Sequence, residues 1–263
     1  MINKKQKSVN IKKIEKQRNE RLGLCNNNKN GNEMTIIEYI NSANITVKFK
    51  DGYITKTKYK HFKNGQVRNP YDKIIFNVGY VGKGKYNSTN KQIYVVWTSM
   101  LKRCYNTKYI SEHHTYKDCE VCEEWHNFQN FAHWFDKNYY TVSDEKMNLD
   151  KDILHKGNKR YSPENCVFVP YNINLLFIKH DKNRESYPIG VYYDKKYNKY
   201  ASMCCNGYGK QIILGYSIDV KQAFYTYKHY KEQLIKQIAD KYKQYIPQKL
   251  YDAMYIYKIE ITD

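Results

Sequence analysis

The stretch from residue 147 to residue 174, MNLDKDILHKGNKRYSPENCVFVPYNIN, constrains the fold of this chain more than any other part of the sequence. Two acidic residues, Asp150 and Asp152, end an apolar segment. A polar connection that contains Gly157 follows, and then Tyr161-Ser162-Pro163-Glu164, whose composition is typical of a turn. The pattern therefore predicts a strand that ends at the acidic pair and leads into a long loop.

The second half of this stretch predicts a further strand and a helix. Residues 166–169, Cys-Val-Phe-Val, have the composition of a short strand, which Pro170 closes. Residues 171–178 can then start a helix. A unit of strand, long loop, strand and helix can bring Asp150 on the first strand close to Asn174 on the helix.

These residues resemble the ββα-metal core of HNH endonucleases, in particular a phage-encoded group of the homing-endonuclease type. The matching segments are Val121-Cys122-Glu123-Glu124-Trp125, Phe128, Phe131, Leu149-Asp150-Lys151-Asp152, Gly157-Asn158, Tyr161-Ser162-Pro163-Glu164-Asn165-Cys166 and Asn174. Their joint occurrence is more specific than any one of them. The resemblance implies an α+β fold that hydrolyses DNA phosphodiester bonds.

The resemblance also implies roles for single residues. Asp150 and Asn174 would bind a divalent cation, Mg²⁺ or Mn²⁺, and Asn165 would brace the loop that presents the general base. In the family, that base is normally a histidine directly after the metal-binding aspartate, and here the position is Lys151. The implied catalytic set is therefore Asp150, Lys151, Asn165 and Asn174.

The lysine leaves several interpretations open. A protonated amine cannot accept a proton unless its pKa is depressed, and the carboxylates of Asp150 and Asp152 act in the opposite direction. The chain is then either a nuclease with a rearranged base, for which His155 is a candidate, or a nuclease-derived protein that binds DNA without cutting it, as a regulator or counter-defence factor. An ordinary structural hairpin with solvated acids is a further interpretation.

Charge and length limit the classes of function. The chain has 263 residues, a formal net charge of +19 and a pI of about 9.4. This surplus favours double-stranded DNA as the partner, and no apolar run approaches the roughly 20 residues of a membrane span. The 29 tyrosines, with abundant Lys, Asn and Ile, fit an AT-rich phage gene, although they leave RNA binding by stacking open. We expect a protein of the bacterial host cytoplasm.

Cysteine usage predicts a reducing compartment. The seven cysteines are scattered, their number is odd and no signal peptide precedes them. Cys119 and Cys122 have the spacing of a zinc-binding pair, but a second pair is needed, and Cys104, His126 and Cys166 are only loose candidates. Structural zinc is therefore not expected.

Residues 1–33 are predicted to be a basic flexible arm. Residues 1–22 carry eight basic and two acidic residues, a net charge of +6, and the segment Asn26–Gly31 would break a helix. The arm either follows DNA phosphates or is a solvated tail.

Residues 34–85 are predicted to form a small β-barrel-like module of the Src-homology type. Ile45, Val47 and Phe49 alternate with polar residues, and Asp51-Gly52 is a hairpin signal. The glycines at 79, 82 and 84 lack the spacing of a dinucleotide fingerprint and predict a linker.

Residues 86–182 are predicted to be the HNH-like core with flanking helices. Apolar residues recur with helical spacing from Ile93 to Cys104 and again from Trp125 to Phe135. Spacing of this regularity favours packing in a core over stacking on bases.

Residues 183–263 are predicted to be a three-stranded antiparallel sheet with helices. The strands are expected at 190–193, 200–204 and 211–215, and Asp219 is expected to cap a helix. Their order resembles the APETALA-type (ethylene-response-factor-like) DNA-binding domain, which lays its sheet in the major groove. The resemblance implies that five residues are candidate DNA contacts: Lys195, Lys196, Tyr197, Lys199 and Lys210. The alternative is a small β-sheet whose lysines are only solvated. The tail after Pro247 is expected to pack on this domain or to support a homodimer.

Overall fold

A computed structural model describes residues 4–178, 187–207 and 209–263, with the backbone alone for residues 4–10. The protein is a mixed α+β chain with several small sheets, as the sequence predicts. One compact unit consists of Met1–Asn106 and Glu124–Phe131, and the other of Thr107–Glu123 and Ala132–Asp263. In the described ranges, no helix is long and apolar enough to cross a membrane.

The first unit is built on an open antiparallel sheet. Its strands, in spatial order, are β1 (Cys25–Asn27), β2 (Glu33–Asn41), β3 (Asn44–Phe49) and β4 (Ile54–Thr57). Ile45, Val47 and Phe49 of β3 are buried in the core, as their alternation predicts. Phe62 of helix α2 (Tyr59–Lys63) closes this core together with Val67.

The prediction that these strands close into a small barrel is wrong. Among the described residues, the edge strands β1 and β4 do not pair with each other, and they are only three and four residues long. Because the chain turns into α2 almost directly after β4, no further strand is available to close the sheet.

Much of the segment predicted to be a flexible arm has regular structure. Helix α1 extends over Lys4–Arg21, and β1 also falls within the predicted arm of residues 1–33. The end of α1 is anchored by Arg21, whose guanidinium lies 3.8 Å from the centre of the Tyr59 ring and donates to the Tyr39 hydroxyl at 2.8 Å. The sequence does not reveal this helix because it lacks an apolar stripe.

The glycine-containing stretch predicted to be a linker packs inside the first unit, which also contains helix α3 (Lys91–Tyr105). A Cβ atom on Gly79 would lie 2.5 Å from Leu101 Cδ1 on α3, so the backbone passes directly over that helix. The side-chain amide of Gln129 donates to the carbonyl of Tyr86 at 2.8 Å. The linker prediction is therefore wrong.

The second unit contains the predicted strand, loop, strand and helix. Strand β6 (Met147–Asp150) pairs antiparallel with β8 (Val167–Pro170), and helix α6 (Tyr171–Leu175) follows β8 directly. The elements that precede and interrupt the loop are α4 (Thr107–Glu112), β5 (Glu120–Val121), α5 (Phe128–Asn138), which begins in the first unit, and β7 (Arg160–Tyr161). Strands β5 and β7 pair in parallel.

The two faces of the β6–β8 hairpin pack against different elements. Phe168 packs against Trp134 and Phe135 of α5, with ring centroids 5.4 and 5.0 Å apart. Val167 shares the other core with Ile173 of α6. Asp150 is paired with Val167, and paired residues lie on the same face, so Asp150 lies on the α6 face.

The predicted sheet and helix are present in the C-terminal part of this unit. Strands β9 (Val191–Asp194), β10 (Lys199–Cys205) and β11 (Gln211–Ser217) are antiparallel, with β10 in the centre. Helix α7 (Val220–Tyr242) begins after Asp219, whose carboxylate accepts the backbone N–H of Lys221 at 2.9 Å as an N-cap. Helix α8 (Gln248–Ile256) follows it.

Helices α7 and α8 complete the core of the ββα unit. Leu234 of α7 and Leu250 of α8 are buried in the same cluster as Val169 and Ile173. The boundary predicted between residues 182 and 183 lies outside the described residues, yet residues on its two sides share this core. Deleting the C-terminal segment would therefore expose apolar surface of the hairpin.

The shared core predicts a large effect of Leu250→Ala on stability. Leu250 is fully buried, so we expect the free energy of unfolding to fall by about 2–5 kcal/mol in urea titrations. Ile256→Ala on the same helix is the control, because Ile256 is 73% exposed and its loss should change stability by less than about 0.5 kcal/mol. Equal effects of the two substitutions would contradict a shared core.

Candidate active site and nucleic-acid interface

Asp150 lies at the end of β6, half-buried and held in one orientation. Its Oδ1 atom accepts the backbone N–H groups of Asp152 at 2.9 Å and of Ile153 at 2.8 Å. These bonds form where the chain leaves the strand, as aspartate commonly does in turns. The turn therefore fixes the carboxylate before any ligand binds.

The electrostatic surroundings of Asp150 are unfavourable for its charge. Burial and the neighbouring carboxylate of Asp152 raise the pKa of Asp150 to about 6, although the two backbone N–H groups act in the opposite direction. Two carboxylates at such close range favour a bound proton or a bound cation. A cation would relieve their repulsion at neutral pH.

This raised pKa predicts a pH-dependent effect of Asp150→Asn in EDTA. The folded protein binds a proton on Asp150 up to about pH 6, whereas the unfolded chain releases it near the ordinary value of 3.8. Wild-type stability should therefore fall between about pH 4 and pH 6 relative to Asp150→Asn, whose side chain does not titrate. Urea titrations at several pH values test this, and parallel stability curves would contradict it.

Asn148 presents a second polar group beside this carboxylate. Residues two apart on a strand share a face, so Asn148 and Asp150 lie on the same side of β6. Among the described residues, Asn148 Nδ2 is the buried side-chain nitrogen or oxygen that has no hydrogen-bond partner. The unpartnered Nδ2 atom is a hydrogen-bond donor, so it suits an anionic ligand such as a phosphate oxygen and does not itself bind a cation. The two carboxylates supply the oxygen ligands that Mg²⁺ and Mn²⁺ prefer. The residues present therefore fit a hard divalent cation.

Asn174 lies on α6, the helix that packs against this face of the hairpin. The helix contacts both β6 and β8, and Ile173 anchors it in the core. Asn174 itself is half-buried. The predicted ligands Asp150 and Asn174 are thus on elements that pack together.

Lys151 is a buried cation, with only 7% of its surface exposed. Its Nζ atom donates to Asp152 Oδ2 at 3.2 Å and lies 5.8 Å from the centre of the Tyr161 ring. Burial is the largest single influence and opposes its charge, but Asp152, Cys119 and Asp150 together outweigh it, and the pKa of Lys151 is raised. Lys151 therefore remains protonated at neutral pH and cannot accept a proton. His155 is exposed on the same loop.

Asn165 takes part in a chain of hydrogen bonds that ends at Lys151. Its Nδ2 atom donates to Asn158 Oδ1 at 3.3 Å, and Asn158 Nδ2 donates to the carbonyl of Lys151 at 2.6 Å. The two asparagines thus connect the start of the loop with its end. This arrangement suits the bracing role expected of Asn165.

The cysteine pair considered for zinc is buried. Cys119 and Cys122 flank β5, and burial raises the pKa of Cys119. Within the part of the chain that the structure describes, no three His, Cys, Asp or Glu side chains are grouped to hold a metal ion.

The C-terminal sheet has one face against α7, and no helix among residues 4–178, 187–207 and 209–263 covers its other face. Val191, Cys204 and Leu214 face α7. The pairing register places the following residues on the opposite face: Tyr192, Asp194, Lys199, Met203, Ile213 and Tyr216. Lys199, Ile213 and Tyr216 are exposed. This helix-free face therefore presents a lysine, an isoleucine and a tyrosine to solvent.

The five predicted DNA contacts divide into two groups. Lys195, Lys196 and Tyr197 are exposed in the β9–β10 turn, and Lys199 begins β10 beside them. Lys210 is also exposed, but it lies in the β10–β11 turn at the other end of β10. A seven-residue strand is about 20 Å long, so Lys210 does not join the other four.

Sequence reasoning gave Tyr197 as a DNA contact but missed Tyr192 and Tyr216 on this face. The rings of Tyr197 and Tyr216 are 5.1 Å apart, and Tyr216 donates to Asp194 Oδ2 at 3.4 Å. Tyr192 lies across the sheet from Tyr216, with Ala201 between them. The alternation of residues on β9 and β11 could have revealed these tyrosines once the strands were placed.

Sequence reasoning also missed a C-terminal segment, residues 257–263, that lies beside the acidic pair. Lys156 Nζ on the long loop is 2.6 Å from Asp263 Oδ2 and donates to the carbonyl of Lys258 at 2.8 Å. Burial, then the charges of Asp263, Asp152 and Asp150, raise the pKa of Tyr257 to about 12. The segment therefore braces the long loop. Because the contacting residues are about one hundred positions apart, no local sequence pattern predicts this contact.

Comparison of the chain with protein-family models, with curated proteins and with solved structures found no match.

Proposed function

We propose that this protein is a divalent-metal-dependent DNA endonuclease of the HNH-like type, which binds duplex DNA through its C-terminal sheet. The observation that carries the proposal is the acidic pair Asp150 and Asp152 at the end of β6, where the carboxylate of Asp150 is held by two backbone N–H groups and its pKa is raised. Lys151 already pairs with Asp152, but nothing opposite in charge pairs with Asp150 among the described ion pairs, so a divalent cation would stabilise its charged form. The pair lies on a ββα unit with Asn174 on the helix. These features support cation-dependent hydrolysis of a phosphodiester.

Asp150 and Asn174 would hold the cation, Mg²⁺ or Mn²⁺. When bound, such an ion stabilises the negative charge that develops on the phosphate and on the leaving 3′ oxygen. Asp150 is suited to this role because its Oδ1 atom is fixed by two backbone N–H groups. The carboxylate therefore needs little reorganisation on binding.

Lys151 has a structural role in this proposal. Its ammonium group holds Asp152, while its carbonyl is held by Asn158. It fixes the start of the loop and does not activate water. His155, exposed on the same loop, is the candidate proton acceptor.

The same lysine supports a second candidate function, a DNA-binding protein that does not cleave. A buried ammonium group occupies the position of the usual base, so hydrolysis loses that contribution, typically about 10²–10⁴-fold. Such a protein would act by occupying DNA as a regulator or counter-defence factor. It would keep duplex binding when Asp150 is replaced.

Substitutions at Lys151 and His155 test the assignment of roles. In a supercoiled-plasmid nicking assay with Mg²⁺, we expect His155→Ala to lower the rate about a hundredfold and Lys151→Met to lower it less. Thermal melting of each variant separates lost activity from lost folding. If Lys151→Met abolishes nicking in a folded protein while His155→Ala has no effect, the roles are assigned wrongly.

A further inference from the structure

Helix α1 carries a concentration of positive charge that the C-terminal sheet does not account for. Residues 1–22 contribute +6 of the formal net charge of +19. The helix has 18 residues and is therefore about 27 Å long. Lys12, Lys13, Lys16 and Arg18 are all exposed.

These charges are spaced so that they repel one another along the helix. Lys12 and Lys16 are four residues apart, and Lys13 and Lys16 are three apart, which places like charges on neighbouring turns. The ion pair that the structure describes on this helix, Lys16 with Glu20, is 4.0 Å long and well exposed, so it adds little. A polyanion would relieve this repulsion.

The last turns of the helix are fixed to the sheet of the first unit. Arg21 donates to Tyr39 and to Ser42 at 2.8 and 3.1 Å, and the Tyr39 hydroxyl donates to Gln17 Oε1 at 3.1 Å. The Arg21 guanidinium also lies over the Tyr59 ring. The preceding turns therefore project from a fixed base with their basic residues exposed.

The distribution of apolar residues favours phosphate over a lipid surface. A helix that lies on a membrane needs an apolar face opposite its basic face. On α1 the exposed isoleucines, Ile11 and Ile14, lie among lysines at positions 12, 13 and 16 and form no stripe. The charge is thus arranged around the helix, which suits a groove bounded by two phosphate backbones.

We propose that α1 is a preformed phosphate-binding helix that gives the protein a second contact with duplex DNA, independent of the C-terminal sheet. The proposal rests on duplex DNA as the partner in the proposed function, but it does not depend on cleavage. The charges of α1 add affinity without sequence preference. Because α1 is already helical, its basic side chains are held at fixed spacing before DNA binds.

Binding of the full-length protein to a short DNA duplex in EDTA, over a range of salt concentrations, tests this proposal. The variant replaces Lys12, Lys13 and Arg18 by Gln, which keeps helix propensity nearly unchanged. The control variant replaces Lys73, Lys83 and Lys91 by Gln. These three lysines are exposed in the same unit, and their replacement lowers the net charge by the same amount. We expect the α1 variant to bind the duplex about tenfold more weakly than the wild type. The slope of log K against log salt concentration should become smaller in magnitude by about 2–3.

Two further results bear on the preformed helix and on the partner. Ile14→Pro keeps every charge but interrupts α1, so its affinity should fall severalfold with loss of helical circular dichroism. The proposal is overturned if the α1 variant behaves as the control does, if Ile14→Pro binds normally, or if α1 discriminates in favour of single-stranded RNA or anionic vesicles. A protein that never nicks DNA but shows the expected salt slopes would overturn only the proposed function.

Discussion

Replacing Asp150 by Asn is expected to reduce Mg²⁺-dependent nicking of supercoiled plasmid by at least about a thousandfold. The carboxylate would be a direct ligand of the cation, and a neutral amide binds Mg²⁺ far more weakly. Asn can still accept the two backbone N–H groups that Asp150 accepts, so the turn should persist. Initial rates of plasmid relaxation give the measurement.

Asp144→Asn provides the matched control for this loss. Asp144 is an exposed aspartate that precedes β6 in the same unit, and its replacement removes the same charge. Its nicking rate should stay within about twofold of wild type, a difference of under about 0.5 kcal/mol. Equal activity of Asp150→Asn and Asp144→Asn would remove Asp150 from the reaction.

Reversing the charge of Lys195, Lys196 and Lys199 together is expected to weaken duplex binding by about a hundredfold or more at moderate salt. The three lysines are exposed at one end of the helix-free face, so six units of charge change where phosphates are expected. Gel-shift titrations in EDTA separate this effect from cleavage.

The control for the sheet replaces Lys108, Lys117 and Lys137 by Glu, three exposed residues of the same unit. We expect a much smaller loss from the control and an intermediate loss from Lys210→Glu, which lies at the far end of β10. If both triple variants lose affinity equally, net charge alone explains binding and the sheet has no special role.

Local patterns predicted the elements whose determinants are close in sequence. The ββα unit and the three C-terminal strands were predicted because apolar alternation and turn residues mark them, and Asp219 marks the start of α7. Helix α1 was missed because Arg21 and two distant tyrosines anchor it. The barrel was wrong because the chain forms α2 after β4.

The candidate site could be predicted only in part for the same reason. The resemblance to HNH endonucleases supplied Asp150, Asn165 and Asn174 as candidates, but the burial of Lys151 against Asp152 and Tyr161 depends on packing. The brace between Lys156 and Asp263 joins residues 107 positions apart, which no local pattern indicates.

The most direct test of the central claim is the conversion of supercoiled plasmid by the wild-type protein in Mg²⁺, Mn²⁺ and EDTA. The account predicts nicked or linear DNA with either cation, and intact plasmid in EDTA. Intact plasmid under all three conditions, at protein concentrations that bind the DNA completely, would contradict the endonuclease and leave the DNA-binding protein that does not cleave.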